Sequence, residues 1–141
     1  MPVAMMLAVS IQTARPDVRD NLRKARQKWE AHRPASYEFT IEVKCFCYGI
    51  AKTPPAFRVT AGSSVAVSEL TGPSAQFYAS YNTVDKLFSM IDRYLALGQD
   101  KTILQFDDEF GFPTVADLDP QRDVFDDELF LRVTNFRVIE K

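Results

Sequence analysis

The stretch YEFTIEVKCFCYG, residues 37–49, decides the fold class. Polar and apolar side chains alternate through it, and this period of two is typical of an antiparallel strand with one face buried and the other in water. We therefore expect a strand over residues 36–48. Its apolar face carries Tyr37, Phe39, Ile41, Val43, Cys45 and Cys47. By this register both cysteines belong to the core face.

Two amphipathic helices are predicted on either side of this region. Residues 16–33 place Val18, Leu22, Ala25 and Trp29 on one narrow apolar stripe, and Trp29 is expected to anchor the helix on the sheet. Residues 83–97 repeat apolar side chains at the same spacing. A cap residue at Asn82 or Thr83 begins this second helix.

The other strands follow from short alternating runs between turn residues. They are expected over residues 56–62, 63–70, 101–107, 112–119 and 127–140. Pro113 favours an edge position for its strand, and a phase change predicts a bulge near Asn135. The fold class is α+β: residues 16–141 form a single domain of order α-β-β-β-α-β-β-β, with two helices packed on one face of an antiparallel sheet.

Composition limits the classes of function. The chain has 141 residues, of which 46% are hydrophobic, and its net charge is −2. No global positive field favours nucleic acid, and no apolar run is long enough for an integral membrane span. Residues 15–33 are rich in basic side chains and residues 100–128 in acidic ones. One interpretation is that these two regions face each other or are hydrated. The alternative is that their uneven charge contributes to binding a partner.

The N-terminal stretch VAMMLAV, residues 3–9, resembles the apolar core of a secretory signal, and Ala8-Val9-Ser10 fits a small-x-small cleavage pattern. No Lys or Arg precedes it. Residues 1–15 are therefore expected to be a signal-peptide remnant or an apolar arm on the domain. With the first interpretation the protein is extracytoplasmic, either periplasmic or secreted.

The C-x-C motif has four interpretations. Zinc or copper needs about two further ligands, but there are no other cysteines and His32 is the single histidine. A thioredoxin-like redox pair has its thiolate at a helix N-terminus, and this motif lies on a strand. Two interpretations remain open: a local disulfide between Cys45 and Cys47, which requires a bend at Phe46, or two reduced thiols packed in the core.

Acidic side chains cluster late in the chain. Calcium prefers six to eight oxygen ligands, and converging loops would supply them without an EF-hand pattern. The calcium candidates are Asp107, Asp108, Asp119, Asp123 and Asp126. The alternative is that these residues are hydrated in turns. No cofactor is expected.

The segment of residues 71–82 is predicted to be a loop, yet it carries Phe77, Tyr78 and Tyr81. These aromatic side chains either pack on the rim of the core or form a surface for a partner. No nucleophile–base pairing or glycine-rich phosphate motif is recognisable, so the sequence favours a non-enzymatic protein.

Several motifs occur together in a recognisable order. They are KWEAHRPASYEF, CFC, TVDKLF, FDDEFGFPTVADLD and DDELFLRVTNF. Over about residues 20–138 the chain resembles a family of uncharacterised bacterial proteins, mostly exported or lipid-anchored, built around a domain of unknown function. The resemblance implies an α+β domain outside the cytoplasm and supplies no activity. Export in turn favours the disulfide. No lipobox cysteine follows the apolar run, so lipid anchoring is not expected.

Three functional hypotheses follow. The first is a non-enzymatic binding module whose partner is a protein or another component of the cell envelope. The second is a small-ligand binder or hydrolase with a cavity between sheet and helices, which rests on fold analogy. The third is a calcium-stabilised structural module. The oligomeric state stays open.

Overall fold

A computed structural model of the chain describes residues 17–124 and 126–139. The predicted N-terminal arm lies outside these residues, as does Pro16, the expected first residue of the first helix. Within the described residues there are three α-helices and six β-strands. They are α1 (Val18–His32), β1 (Ser36–Cys45), β2 (Ala56–Thr60), β3 (Ser63–Ala66), α2 (Gly72–Tyr78), α3 (Val84–Leu97), β4 (Lys101–Phe106), β5 (Pro113–Asp119) and β6 (Leu129–Val138).

The strands form one antiparallel sheet in the order β3-β2-β1-β6-β5-β4. Each half of the chain contributes a three-stranded meander, and the pairing of β1 with β6 joins the two halves. This pairing runs from Tyr37 opposite Val138 to Cys45 opposite Leu129. The predicted α+β class and single antiparallel sheet are confirmed.

The core lies between one face of the sheet and the helices. Tyr37, Phe39 and Ile41 of β1 are fully buried, as the alternation predicts. Trp29 of α1 is also fully buried and meets Tyr37 edge-to-face at 5.2 Å between ring centroids. Its indole N–H donates to Asp85 Oδ1 at 2.8 Å, so the polar end of the ring is satisfied.

Helix ends are capped by side chains. The Asp17 carboxylate accepts from the Arg19 backbone N–H at 3.1 Å, and the Thr83 hydroxyl accepts from the Lys86 backbone N–H at 3.1 Å. These bonds satisfy amide groups that the first helical turn leaves without partners. The Thr83 cap confirms one of the two predicted starts of the second long helix, here α3.

The predicted loop of residues 71–82 contains a short helix, α2, so the two-helix count was wrong. Pro73 lies in its first turn, where a missing amide hydrogen costs nothing. The helix buries Tyr78, and its aromatic side chains pack on the neighbouring core. The segment is too short for a clear helical period, which explains why the sequence pattern did not show it.

The edge position predicted for the Pro113 strand was also wrong. β5 lies between β4 and β6, so Pro113 does not lie on an edge strand of the sheet. Pro113 is tolerated because it is the first residue of β5, beside a register shift at Phe106. The predicted bulge near Asn135 is confirmed: Asn135 has φ +53°, and the register between β1 and β6 shifts there.

Within residues 17–124 and 126–139, no helix combines the length and the apolar character that crossing a bilayer requires.

The Trp29 anchor leads to a stability prediction. Trp29→Ala removes a fully buried indole and should lower the free energy of unfolding by about 3–5 kcal/mol. Urea denaturation followed by circular dichroism measures this. Val65 on β3 is 67% exposed, so Val65→Ala is the matched control and should change stability by less than about 0.5 kcal/mol. A Trp29→Ala loss no larger than that of the control would contradict the anchoring role.

Candidate functional site: the cysteine-bridged tip

The connection between β1 and β2 begins where the central strand pairing stops. Cys45 pairs with Leu129 at the end of β1, and the chain then bends at Phe46. The sulfur atoms of Cys45 and Cys47 lie at disulfide distance, with 5.2 Å between the Cα atoms. That Cα separation is ordinary for a bridged pair. The structure therefore favours the disulfide over two separate thiols. Residues 44–52 are called the tip below.

The core-face position expected for both cysteines holds only in part. Cys45 is half-buried against the core, whereas Cys47 is exposed. The bend at Phe46 ends the strand before Cys47, so the period of two no longer applies there. The bridge thus joins one sulfur at the core to one at the surface.

Two aromatic side chains of the tip are exposed to water. Phe46 is 81% exposed and Tyr48 is 84% exposed, and Ile50 beyond them is 37% exposed. A single exposed apolar residue is unremarkable, but several exposed apolar side chains within a few residues of each other indicate a candidate interaction site. The tip is the part of the described chain where the largest apolar side chains are most exposed.

The base of the tip is held by α2. The Ser74 hydroxyl donates to the Gly49 carbonyl at 2.8 Å, and the Ala51 backbone N–H donates to the Tyr78 hydroxyl at 3.2 Å. Gly49 has φ +105°, and a Cβ there would lie 2.7 Å from the Pro73 carbonyl oxygen. Only glycine fits this close approach without strain. The bridge at one end and α2 at the other therefore fix the tip.

This arrangement gives the aromatic residues of the 71–82 segment a structural role. Tyr78 and Tyr81 are buried, and Phe77 is partly buried against the core. Burial raises the pKa of the Tyr81 hydroxyl to about 12. The structure does not present these three side chains as an exposed surface for a partner. Tyr78 instead supports the tip from below.

A cleft of about 470 Å³ lies between the tip and the start of β6. Its lining consists of Lys44, Cys45, Phe46, Glu128, Leu129 and Phe130. The Phe130 ring is covered by two cations, since Lys44 Nζ lies 5.3 Å and the Arg132 guanidinium 5.1 Å from its centroid. The cleft is thus apolar at its centre and charged at its rim.

The calcium candidates do not come together. Asp107 and Asp108 lie in the turn after β4, whereas Asp119 is the last residue of β5 and Asp123 and Asp126 follow it beyond that end of the strand. The Asp107 carboxylate accepts from the Phe110 backbone N–H at 2.7 Å, which is a turn-forming role. No group of three or more metal-ligating side chains converges anywhere in the described part of the chain.

Asp119 and Asp127 form a close acidic pair beside the tip. The Oδ1 atom of each is buried and has no donor among the described residues. Burial, followed by the neighbouring charge of Asp127, raises the pKa of the Asp119 carboxyl.

Part of the basic region around α1 is engaged by α3. Arg19 pairs with Asp92 at 2.8 Å, and Arg33 pairs with Asp85 at 2.9 Å. Lys28 donates to the Asp108 carbonyl at 2.9 Å, which is a contact with the acidic region through a backbone oxygen. These three basic side chains do not pair with the acidic residues at 117–128, where Asp117 pairs with Lys101 instead.

A second groove, of about 350 Å³, lies between α1 and β4. Its lining consists of Val18, Asn21, Lys24, Thr102, Leu104 and Phe106. Among the described residues, the one ionisable side chain in its lining is Lys24, and the lining contains neither a carboxylate nor an imidazole. The tip and its cleft are the better candidate site.

Sequence reasoning missed Phe46 and Tyr48. A signal was present, because both continue the register of Glu38, Thr40, Glu42 and Lys44 on the water-facing side of the strand. Aromatic residues on a polar face are unusual enough to mark a functional surface.

The fold and the site together define a class: a single-sheet α+β domain whose central strand ends in a cysteine-bridged aromatic tip. The chain belongs to a family of unknown function, DUF6174, whose model matches residues 21–138. The resemblance to a family of unknown function is thereby confirmed over nearly the same range. The comparison with curated proteins gives no match, and neither does the comparison with solved structures.

The acidic pair leads to a pH prediction. A raised pKa means that the folded state disfavours the charged carboxylate, so stability falls as the pH rises through the folded pKa of Asp119. Asp119→Asn removes the buried charge and its repulsion with Asp127, and it should therefore raise the melting temperature at pH 7. The gain should shrink as the pH falls towards the ordinary value of 3.8, where the wild-type carboxyl becomes protonated.

The matched control for this prediction is Asp117→Asn on the same strand. Asp117 pairs with Lys101 at 3.0 Å, so its removal should give no gain at pH 7. Melting curves of the two variants and the wild type between pH 3 and 8 provide the measurement. An Asp119→Asn protein that is less stable than wild type at pH 7 would contradict the acidic-pair interpretation.

Proposed function

We propose that this protein is a non-enzymatic extracytoplasmic domain that binds a protein of the cell envelope through its tip. In this proposal Phe46 and Tyr48 enter an apolar pocket of the partner. The observation that carries it is the exposure of the two rings, 81% and 84%. Burying a large apolar side chain contributes about 1.5–3 kcal/mol, which makes these rings the strongest available contacts at this end of the sheet.

The construction of the tip supports a binding role. The bridge between Cys45 and Cys47 and the hydrogen bond from Ser74 to Gly49 hold the tip before any partner arrives. A preorganised segment loses little conformational entropy on binding, so more of the contact energy appears as affinity. Aromatic side chains on a rigid support are also typical of binding hot spots.

Charge around the tip favours a partner with a basic rim. Seven carboxylates and four cationic side chains lie in residues 44–52, 100–101 and 117–128. The carboxylates are Asp100, Asp117, Asp119, Asp123, Asp126, Asp127 and Glu128, and the cations are Lys44, Lys52, Lys101 and Arg122. This negative balance complements Lys and Arg on a protein partner and opposes an anionic lipid surface.

Two further observations fit the proposal. Disulfides persist in oxidising compartments, so a bridge between Cys45 and Cys47 supports a location outside the cytoplasm. The cleft beside the tip offers Glu128 and Lys44 but no nucleophile with an adjacent base among its lining residues. That composition supports binding without catalysis.

The test begins with capture from the extracytoplasmic fraction of producing cells, followed by purification of the captured protein. Its affinity is then measured by titration against the wild type and three variants. Phe46→Ser and Tyr48→Ser should each weaken binding by about thirtyfold, the factor expected for a hot-spot residue. Val65→Ser, which alters an exposed apolar side chain on β3, is the control and should bind like the wild type.

A salt series and lipid vesicles complete the test. Affinity for the purified protein should fall as the ionic strength rises, because the charged rim is screened. Equal affinity of the Phe46→Ser variant and the wild type would refute the proposed surface. Binding to vesicles with anionic headgroups that depends on Phe46 would refute the choice of a protein partner.

A further inference from the structure

The two cysteines of the bridge differ in their exposure to solvent. Cys47 is exposed, whereas Cys45 is half-buried at the core face of β1. Thiol–disulfide exchange proceeds by attack of a thiolate on one sulfur, so access to that sulfur controls the rate. An incoming thiolate therefore has more room to approach Cys47 than Cys45, although Cys45 also lines the cleft of about 470 Å³.

The bridge also contributes little entropic stabilisation to the folded state. It encloses a single residue, Phe46, and the entropic stabilisation of a disulfide grows with the length of the enclosed loop. Most of the core lies away from it, because Trp29 and Tyr37 are fully buried and the β1–β6 pairing runs from Cys45 back to Tyr37. A partly exposed disulfide, which fixes the tip but not the core as a whole, belongs to the labile class of disulfides.

From these observations we propose that Cys45 and Cys47 form a thiol–disulfide exchange site that accepts two electrons from thiols of another molecule. This goes beyond the proposed binding function and stands without it. It also differs from a thioredoxin-type centre. There the reactive sulfur lies at a helix N-terminus, whereas here the reactive sulfur is that of Cys47, which is exposed just beyond the end of a strand.

The reaction has two balanced steps. A thiolate of the partner attacks Cys47 Sγ, a new sulfur–sulfur bond forms, and Cys45 leaves as a thiolate that takes a proton from water. A second partner thiolate then attacks the partner sulfur in this mixed disulfide and releases the Cys47 thiolate, which is also protonated. The partner thiols are thereby oxidised to a disulfide, and the cysteine pair is reduced to two thiols.

The first experiment uses reduced glutathione as the probe, and mass spectrometry follows loss of the bridge in the oxidised full chain. We expect the native protein to react within about tenfold of the rate of the same chain unfolded in guanidinium chloride, because Cys47 needs no opening of the fold. If the bridge were protected by the fold, the native rate would be lower by about 10³-fold or more. That result would overturn the proposal.

The second experiment tests which sulfur of the pair is more accessible to exchange with a small thiol reagent. Cys45→Ser leaves the exposed thiol of Cys47, and Cys47→Ser leaves the half-buried thiol of Cys45. With glutathione disulfide as the probe, the Cys45→Ser protein should form its mixed disulfide at least about tenfold faster than the Cys47→Ser protein. The two rates should become equal in guanidinium chloride. Equal rates in the native state, or the reverse order, would refute the assignment of Cys47.

A third measurement separates this proposal from the proposed binding function. Phe46→Ser and Tyr48→Ser should lose affinity for the protein partner but should still exchange with glutathione at a rate close to that of the wild type. Circular dichroism of the reduced wild type should show an unchanged fold. Loss of the fold on reduction would show that the bridge is structural and would contradict the exchange site.

Discussion

The antiparallel pairing of β1 with β6 is the contact on which the rest of the structure depends. Each half of the chain supplies a meander, and without this pairing two separate three-stranded sheets would remain. The helices reinforce it from one side. Trp29 of α1 meets Tyr37 of β1 at 5.2 Å and Phe136 of β6 at 6.0 Å between ring centroids, so the indole covers the junction of the two halves.

On the water-facing side of the sheet, the same junction carries ion pairs. Glu38 of β1 accepts from Arg58 of β2 at 2.8 Å and pairs with Arg137 of β6 at 3.0 Å. The hydrogen bond from Arg58, with the two positive charges, holds the pKa of the Glu38 carboxyl below its usual range. Such exposed pairs contribute little stability each, but they keep the water-facing side of the sheet polar and its register unique.

The end of this pairing also defines the candidate site. Because Cys45 lies opposite Leu129, the tip comes to lie beside the acidic segment that precedes β6. The aromatic rings, the cleft and the acidic pair of Asp119 and Asp127 thus occupy one end of the sheet. Segments far apart in the sequence meet there because of a strand register and not because of a local motif.

Local patterns predicted the fold better than they predicted the site. The alternation from Tyr37 to Val43, the helical stripe ending at Trp29 and the bulge at Asn135 are short-range signals, and the structure confirms them. The interior position of the Pro113 strand depends on which strands pair, which no local period reveals. Strand order is a property of the whole chain, so an edge inferred from one proline was not reliable.

The site was harder to predict because its features begin where periodicity stops. Extending the alternation beyond Cys45 placed Cys47 in the core, whereas the bend at Phe46 places it in solvent. Packing on the core and an exposed surface both stayed open for Tyr78 and Tyr81, and both side chains are buried, Tyr78 at the end of α2 and Tyr81 just after it. Burial of loop residues depends on tertiary contacts, and these leave no trace in residue spacing.

The central claim is that Cys45 and Cys47 are bonded to each other and thereby hold Phe46 at the surface. The most direct measurement is the mass of the unreduced protein after treatment with iodoacetamide in guanidinium chloride. A bonded pair predicts a monomer that carries no alkyl group before reduction and two after it. Two alkylated cysteines in the unreduced protein would contradict the account.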